Sequence, residues 1–185
     1  MIFNVHAGHN PDGKKGCGAV GLVKESTENR KVKDEVIKQL RALGHTVYDC
    51  TVDNGKNADD VLSKIVAKCN AHKVDYDISI HFNACVKDYE GDGETTGTNC
   101  YVYNAKGKDS NTWNVADKII NEIAALGFTD RNVVARPTLY VLRKTNAKAI
   151  LIECCFVDDK DDITLYKKIG AAGMAKAIVK GLTGQ

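Results

Sequence analysis

A chain of 185 residues with 43% hydrophobic content is long enough for one well-buried core and short for two, so a single domain over residues 1–185 is expected. A formal charge of +2, with Lys and Arg spread among Asp and Glu, excludes the basic stripe of a nucleic-acid binder, and no apolar run reaches membrane-spanning length.

The first strand is predicted at Ile2 to His6, followed by a Gly-rich loop from Ala7 to Gly21. A helix then begins at Ser26 or Thr27, with Val32, Val36, Ile37, Leu40 and Leu43 at helical spacing, and Gly44 stops it. Next come a strand at His45 to Tyr48, a helix from Asp59 to Ala71 and a buried strand at Tyr76 to His81. This alternation is the signature of parallel strands joined by crossover helices.

A polar loop covers Val86 to Thr96, and Gly97 to Tyr103 alternates with the period of a strand. A helix is predicted from Ser110 or Asn111 to Leu126, ended by Gly127, and a loop carries Arg131 to Arg136. A short strand at Leu139 to Leu142 and an apolar strand at Ala149 to Phe156 complete the sheet. The closing helix runs from Asp162 or Thr164 to Leu182. The fold class that results is α/β, a three-layer α/β/α sandwich with a mostly parallel sheet of about six strands.

The start, Met1-Ile2-Phe3-Asn4-Val5, lacks the charged head and apolar stretch of a secretory signal, so synthesis in the cytoplasm is expected. Seven cysteines, an odd number without a Cys-x-x-Cys pair, argue against a disulfide framework and a zinc knuckle. Cys154 and Cys155 are adjacent in an apolar strand, where neighbouring side chains are expected on opposite faces.

Reactive groups of open α/β sheets gather beyond the carboxyl ends of the strands. His9 lies just past the first strand, His81 closes the third, and Glu153 interrupts the apolar run Ala149-Ile150-Leu151-Ile152 near its end. A carboxylate inside such a run is costly to bury unless a cation or hydrogen-bond donors meet it. A metal ion would supply that cation and also account for the histidines. Glu25, at the start of the first helix, falls near the same rim, and two histidines with a carboxylate form a common catalytic zinc set.

The segments that carry these residues resemble the zinc-dependent N-acetylmuramoyl-L-alanine amidases of phage endolysins and autolysins. Ala7-Gly8-His9 is similar to the family's Pro-Gly-His, and Glu25-Ser26-Thr27-Glu28-Asn29 to its Glu-x-x-x-Asn. Ser79-Ile80-His81-Phe82-Asn83-Ala84 reproduces Ser-Ile-His-x-Asn-Ala, the most specific match. Gly97 to Tyr103 looks like a Gly-strand that flanks the substrate, and Leu139-Tyr140-Val141-Leu142-Arg143 like a Leu-x-Val-Leu-Arg strand. Ile150 to Phe156 looks like the apolar strand that ends in Glu-x-Gly-Phe, with Cys155 in place of the Gly.

The resemblance implies that His9, Glu25 and His81 hold Zn²⁺ and that Glu153 is the catalytic acid and base. It implies a substrate, peptidoglycan, gripped by Asn83, Gly97, Thr98 and Asn99 and cut at the amide between N-acetylmuramic acid and L-alanine. A monomer acting on the bacterial wall after release is expected, with any wall-binding domain outside this chain. His6 stands where the family has Asp and competes as a ligand, although its place inside the strand favours a buried supporting role; Glu28 competes with Glu25. Three rival readings are a cysteine hydrolase using Cys85 or Cys154 with His81, a zinc peptidase, and a non-catalytic wall-binding module.

Overall fold

The computed structural model describes residues 1–104 and 109–185. Its strands are β1 (Ile2–Ala7), β2 (Thr46–Asp49), β3 (Tyr76–Asn83), β4 (Thr98–Val102), β5 (Asp130–Ala135) and β6 (Lys148–Phe156). The helices are α1 (Glu25–Ala42), α2 (Ala58–Asn70), α3 (Ser110–Ala124), α4 (Tyr140–Lys144) and α5 (Lys160–Thr183). The strands form one sheet in the order β2-β1-β3-β6-β4-β5, parallel except where β4 meets β6. The α/β class and the six-stranded, mostly parallel sheet are as expected.

Period-two alternation sends the strand side chains into two cores. Val5, Ile78, Ile80, Cys100, Ile150 and Ile152 face α1, α3 and α5, whose Val32, Val36, Leu40, Ile119, Ile123, Met174 and Ile178 complete the larger core. On the other face, Ala149 and Leu151 pack with Val61, Ile65 and Cys69 of α2 and Val141 and Leu142 of α4. This second core is smaller, and it leaves the carboxyl ends of β1, β3 and β6 uncovered for polar groups.

Two predicted elements change identity. Leu139 to Leu142 is not a strand: Tyr140–Lys144 is a short helix, with Thr145 Oγ1 donating to the Val141 carbonyl at 2.8 Å. The consecutive residues Val141 and Leu142 are both buried against α2, which a strand with alternating faces would not allow. The place of that strand is taken by β5, Asp130–Ala135, most of which falls in the stretch expected as a loop. It lies at the sheet edge with Val133 as its one buried residue, so it lacks the apolar alternation by which a strand is read.

Cys154 and Cys155 also depart from expectation, since both side chains join the larger core. The register of β3 and β6 shifts between His81 and Asn83, where His81 pairs with Glu153 but Asn83 pairs with Phe156. The extra residue of this bulge turns Cys155 to the same side as Cys154. It also returns Phe156 to the face that carries Glu153.

Candidate active site

β1 ends by delivering Gly8 and His9 to the rim. Gly8 N donates to the Ile80 carbonyl at 3.1 Å, which keeps the chain against β3 for one residue beyond the strand. His9 then turns with φ 67, and two α1 side chains hold this strained turn: Asn29 Nδ2 donates to the Gly8 carbonyl at 3.0 Å and Arg30 Nη2 to that of His9 at 2.9 Å. A Cβ at Gly8 would lie 2.0 Å from His81 Cε1, so the bare backbone is what lets the His81 ring lie where it does.

Glu25 is the first residue of α1, where the helix dipole favours a carboxylate. Its Oε2 accepts from Ala19 N at 2.8 Å and its Oε1 from Phe82 N at 3.3 Å. The same Oε1 lies 3.0 Å from His81 Nδ1 and 3.3 Å from His9 Nε2. Gly18, with φ +81, comes so close that a Cβ there would stand 2.5 Å from Glu25 Oε2. Burial pushes the Glu25 carboxyl up, but the hydrogen bonds and charges of His81 and His9 outweigh it and hold the group well below the ordinary carboxylate range.

His81 is almost wholly buried, and burial lowers its pKa against the opposing pull of Glu25. Its Nε2 meets Ser79 Oγ at 3.0 Å, two residues back on the same strand face. One ligand atom from each of His9, Glu25 and His81 lies within 4.8 Å of the others, so the three could hold a metal ion. Of the competing residues, Glu28 turns away to Lys31 and to the Tyr166 hydroxyl. His6 lies buried below, with Nδ1 3.5 Å from Ser79 Oγ, and burial followed by the charge of His81 lowers its pKa to about 3.

Glu153 pairs in register with His81 across β3 and β6, and Asn99 of β4 pairs with Glu153 from the other side. The three side chains therefore stand in one row on the same face. Glu153 keeps some surface, yet its Oε2 is enclosed with no hydrogen-bond partner, as is the Oδ1 of Asn99. Burial, then the negative charge of Glu25, pushes the Glu153 carboxyl up to about 8.

The remaining substrate candidates divide. Asn83 is half-buried on the site face, with Oδ1 accepting from Ala84 N at 2.8 Å. Gly97 and Thr98 serve the framework: Gly97 N donates to Asp162, and Thr98 Oγ1 donates to the Glu153 carbonyl at 2.8 Å, which fixes the β6 segment that bears Glu153. Ser79, Asn29 and Arg30 were missed as positioning groups. Ser79 and Asn29 had a signal, as members of the Ser-Ile-His and Glu-x-x-x-Asn segments, and Arg30 had none.

A profile of the N-acetylmuramoyl-L-alanine amidase family matches residues 4–184. The chain belongs to this family. Among its relatives in sequence, an uncharacterised protein of Clostridium perfringens is 33% identical over 98% of this chain and 51% of its own length. The endolysin of Bacillus phage SPP1 is 30% identical over 88% of this chain and 57% of its own. The chain thus spans about half the length of these relatives. The amidase fold recurs in the catalytic domain of the CD27L endolysin, which targets Clostridium difficile, with a TM-score of 0.86, 26% identity, and 100% of this chain and 98% of that one covered.

The donor set suits zinc among the metals such an amidase takes: two imidazole nitrogens and one carboxylate, with no thiolate in the group. The orphaned Glu153 Oε2 fits a cation nearby, because a buried carboxyl oxygen without a donor is costly unless positive charge offsets it.

Proposed function

We propose that this chain is a single catalytic domain that hydrolyses the amide between N-acetylmuramic acid and L-alanine in peptidoglycan, acting as a monomer on the bacterial wall. The observation that carries the reading is the row in which Glu153, with one enclosed and partnerless carboxyl oxygen, stands beside His81, which shares Glu25 Oε1 with His9. His9, Glu25 and His81 would hold Zn²⁺, which when bound supplies a Lewis acid that polarises the scissile carbonyl and makes water a stronger acid.

The Glu153 carboxyl, which keeps some surface on the site face, takes the proton from the attacking water and returns it to the leaving amide nitrogen. A cation on the neighbouring three donors favours the ionised form of Glu153 and offsets the rise that burial and Glu25 impose, which makes the carboxyl a base near neutral pH. Ser79 holds the far nitrogen of His81, leaving Nδ1 directed at Glu25. Asn83, half-buried on the same face, offers a polar contact to the substrate, and Asn99 would contribute from β4 only if its enclosed Oδ1 became uncovered.

Digestion of purified peptidoglycan tests the reaction: new alanine amino termini should appear without new reducing sugar ends. Glu153→Gln should keep its zinc and lose about 10²- to 10⁴-fold in rate. Full activity in that variant would remove Glu153 from the mechanism.

A further inference from the structure

β4 and β5 run opposite to β6, so their amino-terminal ends arrive at the edge where β3 and β6 finish. Asp130 pairs with Thr98, which places Arg131 on the face that carries Asn99 and Glu153. Its guanidinium lies 5.0 Å from the centroid of the Phe156 ring, and Phe156 is the register partner of Asn83. Arg131 therefore reaches over the end of β4 toward the site, with Nη1 3.5 Å from the Thr96 carbonyl.

Arg131 is exposed, and none of the ion pairs among the described residues includes it. Arg30 makes the contrast, since its fork is consumed by Asp53 and by the carbonyls of Ser26 and His9. The Arg131 fork is held in place by an aromatic face and, beyond the 3.5 Å contact of Nη1 with the Thr96 carbonyl, meets no side-chain acceptor among the described residues, the arrangement that suits capture of a carboxylate. A peptide segment that presents a carboxylate at this edge would supply the acceptor that the fork lacks.

Phe156 is three positions beyond Glu153 along β6, but the bulge makes that stretch advance only as far as the two positions from His81 to Asn83, or about 7 Å at strand rise, which corresponds to about two residues of extended peptide. We propose that Arg131 determines specificity by binding a free carboxylate on the stem peptide, within about two residues of the cleaved amide. The inference rests on the amidase reading above.

The test uses two soluble muramoyl peptides that differ only at the residue after alanine, one with a free carboxylate and one with a carboxamide. Wild-type enzyme should prefer the carboxylate, and Arg131→Gln should lower its kcat/KM on that substrate by about 10- to 100-fold, chiefly through KM. On the carboxamide the variant should match the wild type within about threefold, and Arg131→Lys should recover part of the preference as a point charge without the fork. Arg136→Gln is the control, because Arg136 lies over Tyr101 at the far end of β5 and should leave the preference unchanged. The ratio of the two kcat/KM values does not depend on how much of a variant is folded. An unchanged ratio in Arg131→Gln would overturn the proposal. Failure of the wild type to cleave either peptide would instead overturn the amidase reading, and this inference with it.

Discussion

At the scale of single residues, the chemistry turns on which buried groups can change their charge. Glu153 and Cys154 are neighbours in sequence but serve opposite sides of the sheet: Glu153 faces the histidines, whereas Cys154 is wholly enclosed in the larger core. Burial, then the charge of Glu153, raises the Cys154 thiol well above its ordinary range, so it supplies no thiolate near neutral pH. Cys85 is exposed on the loop after β3, beyond the row that bears His81 and Glu153. Iodoacetamide should therefore label Cys85 and leave wall hydrolysis intact, while a strong chelator should abolish it. The reverse pattern, loss on alkylation and survival of chelation, would identify a thiol enzyme.

At the scale of elements, the site depends on the β1–α1 connection, which places His9 and Glu25 against a ring supplied by β3. Gly8→Ala puts a methyl group into the His81 imidazole while sparing the Gly8 N–H bond to Ile80. It should lower zinc affinity by about 10- to 100-fold, the scale of lost supporting contacts around metal ligands, with the circular dichroism spectrum preserved. Unchanged affinity would mean that the ring is free to move aside.

The same connection shows what the sequence makes legible. β6 holds a continuous apolar run from Ala149 to Ile152, and Glu153 at its end stands out because burial penalises it, whereas His9 and His81 were legible from their places at the ends of β1 and β3. α4 and β5 were not legible for the converse reason. Four consecutive residues, Leu139 to Leu142, fit a buried strand or a helical turn equally, and packing against α2 decides between them. An edge strand carrying Asp130, Arg131 and Asn132 has no apolar period to read, since hydrogen bonds to β4 define it. The Cys154-Cys155 bulge was hidden as well, because a register shift leaves no trace in composition. Arg131 escaped notice on that account: with β5 read as a loop, nothing placed it on the site face.

At the scale of the whole molecule, the antiparallel joint between β4 and β6 widens the row of polar side chains beyond what a wholly parallel sheet would provide. His81, Glu153 and Asn99 come from three adjacent strands, while four aspartates at the start of α5 tie down the loop between β3 and β4. Asp158 accepts from Cys85 N and Lys87 N, Asp159 from Thr96 N, Asp161 from Asp92 N and Gly93 N, and Asp162 from Gly97 N. The catalytic face is thus set by the sheet and braced by one helix terminus. No helix among the described residues is long and apolar enough to cross a membrane.

The central claim is that three side chains from β1, α1 and β3 make one metal site, and calorimetric titration of the metal-stripped chain with Zn²⁺ tests it most directly. One equivalent should bind tightly to the wild type, and His81→Ala and Glu25→Ala should each lose that binding while remaining folded. Tight one-to-one binding retained in both variants would place the metal elsewhere and contradict the account.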